Sequence, residues 1–158
     1  MSILDAVKAM SPERFQAIYE SLMEQGYGPL DGDVARALKF RPHAIRKLPI
    51  DKRAQKARQL LLAKGQADLA YELCGGYLIR THEKLMPEFL DAVGVPHEDG
   101  MIENTAEALP DEDKLEPALE ELDGKYPAED VTLYLGICAT QWPQVPKLGE
   151  LYEARLDA

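Results

Sequence analysis

Aromatic and sulfur-bearing side chains are scarce in this chain: one tryptophan, three phenylalanines and two cysteines among 158 residues. Two cysteines, Cys74 and Cys138, without CxxC spacing and in apolar surroundings, do not make a disulfide framework or a thiolate metal site, and the expectation is two buried free thiols. Long apolar runs are missing as well. No stretch approaches the ~18 uninterrupted apolar residues of a membrane span, so no membrane partner is expected. The first ten residues, MSILDAVKAM, are interrupted by Asp5 and Lys8 and do not read as a secretion signal, which points to a cytoplasmic location. Sustained alternation of apolar and polar residues is absent too, so no sheet is expected. HExxH, paired histidines at helical spacing and phosphate-binding glycine loops are all lacking, and no cofactor or metal is called for.

What is present is helical periodicity broken by proline and glycine. Residues 2–10 carry Ile3, Leu4, Val7 and Met10 at helical spacing, a short helix expected to fray. Ser11-Pro12 is an N-cap followed by proline at the first helical position, and Phe15, Ile18, Tyr19, Leu22 and Met23 then form a stripe as far as Gly26. A helix from Asp31 or Asp33 to Phe40 and a short one from His43 to Leu48 follow, the latter closed by Pro49. Ile50, Ala54, Ala57 and Leu61 share a face of the next helix, which stops at Gly65. The most apolar run, residues 66–102, begins with a helix to about residue 81 that is apolar on two sides and is expected at the architectural centre. Further helices are expected from Leu85 to Gly94, over the acidic segment 111–123, from Pro127 to Gln141 and from Lys147 to Leu156, with one turn at 103–108. The sum is an all-α single domain, residues 1–158, of about seven to nine helices, built from antiparallel hairpins in an orthogonal bundle or short α-α superhelix.

An internal echo supports the hairpins. Leu48-Pro49 and Leu109-Pro110 each open an amphipathic helix, a glycine-containing turn and a more apolar second helix, which pairs the segments 48–81 and 109–140 and sets Asp68-Leu69 beside Asp130-Val131. Residues 109–140 are similar in layout to tetratricopeptide-like hairpins, without matching that consensus.

Charge is unevenly spread. Residues 36–64 hold ten Lys or Arg against Asp51 alone, a net of +9, whereas the residues before carry −4 and those after carry −15. Within the basic block, residues 34–48 resemble the helix-turn-helix motif of bacterial DNA-binding proteins, with Ala35, Leu38 and Ile45 at its apolar positions, Lys39 where glycine is usual, and Pro49 closing the second helix. The resemblance implies nucleic-acid binding through Arg36, Lys39, Arg41, His43, Arg46, Lys47, Lys52, Arg53 and Lys56. A plainer expectation sets the basic block against the acidic helix 111–123, within one chain or between chains.

Two smaller features carry chemistry. Gly75-Gly76 inside a helix costs roughly 1 kcal/mol per glycine relative to alanine, to be offset by close approach of a neighbouring helix or by a shallow ligand pocket lined by Tyr71, Tyr77 and Arg80. His82 and His97, each followed by acids, would form a metal or catalytic site if a helical return brought them together. The favoured function is a non-enzymatic interaction or scaffold protein that binds a protein partner or itself. Nucleic-acid binding is the alternative, and a metal-dependent enzyme around His82 and His97 a third.

Overall fold

Ser2 opens the first helix by reciprocal capping: its Oγ accepts from the Leu4 N–H at 3.2 Å while the Asp5 carboxylate accepts from the Ser2 N–H at 2.8 Å. The computed structural model describes residues 2–24, 47–63 and 65–158. Among these the regular structure is eight helices and no strand: α1 Ile3–Ala9, α2 Pro12–Glu24, α3 Ile50–Ala63, α4 Ala67–Thr81, α5 Leu85–Ala92, α6 Glu112–Asp123, α7 Ala128–Gln141 and α8 Pro146–Asp157. The all-α expectation holds. The helix expected at 31–40, all but Lys47 and Leu48 of the one expected at 43–48, and nearly all of the helix-turn-helix-like segment lie outside the described residues; Lys47 and Leu48 are not helical.

The short helix α1, expected to fray, is tied down by contacts from α3 and α8. Ile3, Ala6 and Val7 are buried, and the Arg58 guanidinium, reaching across from α3, donates to the carbonyls of Val7, Lys8 and Met10 at 3.0, 3.2 and 2.5 Å. Carbonyls at a helix C-terminus lack intrahelical partners and carry partial negative charge, so a guanidinium there satisfies both. The Tyr152 hydroxyl of α8 accepts from the Ala6 N–H at 3.1 Å and donates to the Ser2 carbonyl at 2.8 Å.

Two helices form the interior. α4 lies against α1, α2, α3, α5 and α7, and buries Ala70, Leu73, Cys74 and Leu78. α7 is more completely enclosed, with Asp130, Val131, Leu133, Tyr134, Leu135, Gly136, Ile137 and Cys138 all buried among α1, α4, α6 and α8. The second helices of the two echoing segments thus meet at the centre. The central place expected for α4 is found and is shared with α7, and the outer face of α4 keeps Asp68, Glu72 and Ile79 exposed. The layer is completed by α2 on α3 and by α5 on α6, with Trp142, Tyr19, Tyr152, Phe15 and Phe89 as the largest fully buried side chains. Each such ring contributes about 1.5–3 kcal/mol by leaving water.

The connection from α5 to α6 contains no regular element but is fastened at several points. Asp111 N–H donates to the Val93 carbonyl at 3.0 Å, and the Trp142 indole N–H lies 3.0 Å from the carbonyls of both Thr105 and Ala108. Within it, Glu98 and Met101 exchange two backbone hydrogen bonds of 2.9 Å around Asp99 (φ +52°) and Gly100 (φ +88°). Positive φ at both central residues is the type I′ hairpin turn, and Asp-Gly is a residue pair that tolerates it.

Candidate functional site

The only buried charged residue among those described is Asp130, in the first turn of α7. Its carboxylate accepts from Arg14 Nη2 of α2 at 2.5 Å, from His82 Nε2 at the C-cap of α4 at 2.7 Å, and from the Tyr77 hydroxyl at 3.3 Å. The other guanidinium nitrogen, Nη1, pairs with Glu129 at 3.0 Å, and the His82 ring meets Tyr126 edge-on at 5.1 Å. A buried carboxylate is tolerable when its lone pairs are met by such donors. Burial, reinforced by the Asp130 charge, raises the Tyr77 hydroxyl above its ordinary value and keeps it a donor. The nearby Cys74 thiol is pushed up to about 12 by burial, which holds it protonated, so this cluster is a joint between three helices and presents no thiolate nucleophile. Sequence reasoning did not single out Asp130; a Glu129-Asp130 pair opening the most apolar helix was the available signal.

The predicted residues distribute as follows. Tyr77 serves Asp130; Tyr71 is half-buried beside Cys138 of α7; Arg80 is exposed. The glycines between them are not sites of close approach: a Cβ on Gly75 would sit 3.9 Å from Ile137 and one on Gly76 3.6 Å from Leu22, ordinary contact distances. The offset expected there is found instead at Gly136, where a Cβ would lie 2.8 Å from the Tyr152 ring. His82 and His97 are not brought to a common ligand set, since His97 Nε2 binds Asp91 at 2.7 Å while its Nδ1 accepts from the Gly100 N–H at 3.0 Å. Among the described residues no group of three or more His, Cys, Asp or Glu could hold a metal ion.

Of the nine nucleic-acid candidates, Arg36, Lys39, Arg41, His43 and Arg46 lie outside the described residues. Lys47 and Lys52 are exposed, Lys56 is half-buried, and Arg53 stacks over the Tyr19 ring at 5.7 Å. Within the acidic segment, Asp111, Glu116, Glu121 and Asp123 pair with Lys114, Lys147, Lys125 and Arg155, all outside the block 36–64.

One surface combines exposed apolar side chains with concavity. Met101 is 71% exposed and Leu109 45%, and between them run two adjoining grooves of about 420 and 580 Å³ that share Pro96, Ile102 and Glu103. The type I′ turn, held by His97, sets Met101 at the edge of one groove; the Trp142 hydrogen bonds hold the segment that carries Leu109 at the edge of the other. No helix among the described residues is long and apolar enough to cross a membrane. No protein-family model matches the chain, nor does any curated protein or any solved structure.

Proposed function

We propose that the chain is a helical interaction module that binds a partner protein through the surface between α5 and α6. The observation that carries this reading is the exposure of Met101 and Leu109 on a segment fastened at both sides. A side chain as large as methionine left 71% exposed has apolar area to gain from a partner. Methionine also adapts its shape to what covers it. Because the Gly100 N–H bond to His97 and the hydrogen bonds donated by Trp142 and Asp111 already order the backbone, a partner would meet a surface whose conformational entropy is largely lost on folding, which favours affinity.

The test is reconstitution. Proteins cross-linked to the intact chain in an extract of its own host are identified, purified and titrated back onto the purified chain. The reading expects at least one that binds saturably and loses affinity with Met101→Asp plus Leu109→Asp. Failure of every candidate to bind the purified chain, or undiminished binding to the doubly substituted one, counts against it.

A further inference from the structure

The grooves between α5 and α6 have a chemical character beyond their shape. From Leu85 to Asp113 the sequence holds nine acids and no lysine or arginine, the counterpart in sign of the basic block. Some of these acids are already matched: Glu88 by Lys125, Asp91 by His97 and Asp111 by Lys114. Glu98, Asp99, Glu103 and Glu107 are exposed and form no ion pair with any described residue, and Glu98, Glu103 and Glu107 line the two grooves. Lys114, at the Gly94 edge, faces Asp111 at 4.0 Å.

We infer that this surface docks a lysine- and arginine-rich amphipathic segment of a partner protein, whose apolar face covers Met101, Ile102 and Leu109 while its bases meet Glu98, Asp99, Glu103 and Glu107. The inference rests on the interaction reading and names the chemistry of the partner. Charge complementarity selects the occupant. Uncompensated carboxylates beside exposed apolar side chains repel acidic segments and phosphate backbones, and they attract a cationic one while steering its approach. A bare cation would meet the carboxylates but leave Met101 and Leu109 in water. An amphipathic helix laid in a groove satisfies both, with its apolar residues one turn apart entering the cavities and its basic residues flanking them.

The probe is a labelled synthetic peptide about a dozen residues long, with leucine at helical spacing and lysine elsewhere, titrated onto the intact chain by fluorescence anisotropy. Two controls are a scrambled peptide of identical composition and a version with glutamate in place of lysine. Saturable binding of the first peptide, weakened roughly tenfold or more by Met101→Ser plus Leu109→Ser and likewise by Glu98→Lys plus Glu103→Lys, supports the inference. Glu120→Lys plus Glu153→Lys makes the same change in net charge on exposed positions elsewhere and should leave affinity within about twofold. All these side chains are exposed, so thermal unfolding checks that the variants fold. Equal binding of the scrambled peptide, equal loss with the control pair, or no binding at all would overturn the inference. So would sedimentation showing a dimer that Met101→Ser plus Leu109→Ser dissociates, because the occupant would then be a second copy. A reconstituted partner that is neutral or acidic and uses Met101 and Leu109 would overturn this inference while leaving the interaction reading standing.

Discussion

Gly136 and the pair Gly75-Gly76 look alike in sequence, glycines inside apolar helices, and they differ in what surrounds them. The Tyr152 ring lies 2.8 Å from the position of a Gly136 Cβ, with Ile3 at 3.1 Å, and Tyr152 cannot retreat because it is fully buried and its hydroxyl holds Ser2 and Ala6. Gly136→Ala therefore forces an overpacked contact, and the expected result is a net destabilisation of about 1–2 kcal/mol after the gain in helix propensity. Gly75→Ala and Gly76→Ala meet only ordinary contacts at 3.9 and 3.6 Å, so each should stabilise by up to about 1 kcal/mol. Urea unfolding of the three variants checks the opposite signs. No pattern in the sequence separates these positions, because the difference is made by a tyrosine sixteen residues further on and by a helix at the other end of the chain.

At the scale of elements, the joint at Asp130 holds the first turn of α7 against α2 and the end of α4. Removing the carboxylate by Asp130→Ala leaves the Arg14 and His82 donors without it. The expected loss is about 3 kcal/mol, the lower end for breaking a buried pair, because the Arg14 and His82 side chains keep 16% and 18% exposure to water. Asp68, which the internal echo places at the matching position of α4, is exposed, and Asp68→Ala should change stability by less than about 0.5 kcal/mol. Measured unfolding midpoints of the two variants would contradict this account if their losses were equal. The echo was legible because proline, glycine and apolar spacing are local. Which of two aligned aspartates is buried was not, since it depends on Arg14 and His82 arriving from helices far apart in the chain. The same holds for α1, where the local Ser2–Asp5 cap is reinforced by Arg58 and Tyr152 arriving from far along the chain.

Across the whole molecule, burial suppresses the ionisation of several interior acids together, raising their pKa values. Cys74 and Cys138 are pushed from 9.0 to about 12, and Tyr77, Tyr134 and Tyr152 are each raised above 10.0, with desolvation the largest cause in every case. These groups ionise in the unfolded chain at lower pH than in the folded one, so above pH 9 the unfolded state binds fewer protons and stability falls. The contribution is complete below the unfolded values and is lost as pH climbs through the folded ones. Urea midpoints should decline progressively between about pH 9 and about pH 12; a midpoint independent of pH across that window would contradict the burial of these groups. In the same sense, neither thiol should react with a thiol reagent until the chain unfolds.

The sequence by itself determined that the described chain is helical, where most of its helices begin and end, and that its two cysteines are buried and free. Those properties follow from local spacing of apolar residues and from the backbone limits of proline and glycine, which act within a turn or two. Only the tertiary structure decided that α7 is the more enclosed of the two central helices, that Gly136 and not Gly75-Gly76 marks the close approach, and that Met101 and Leu109 are left beside a groove rimmed by carboxylates. Each of these depends on which faces meet, and contacts between residues more than a hundred positions apart, such as Arg14 with Asp130, leave no mark on the local pattern of either segment.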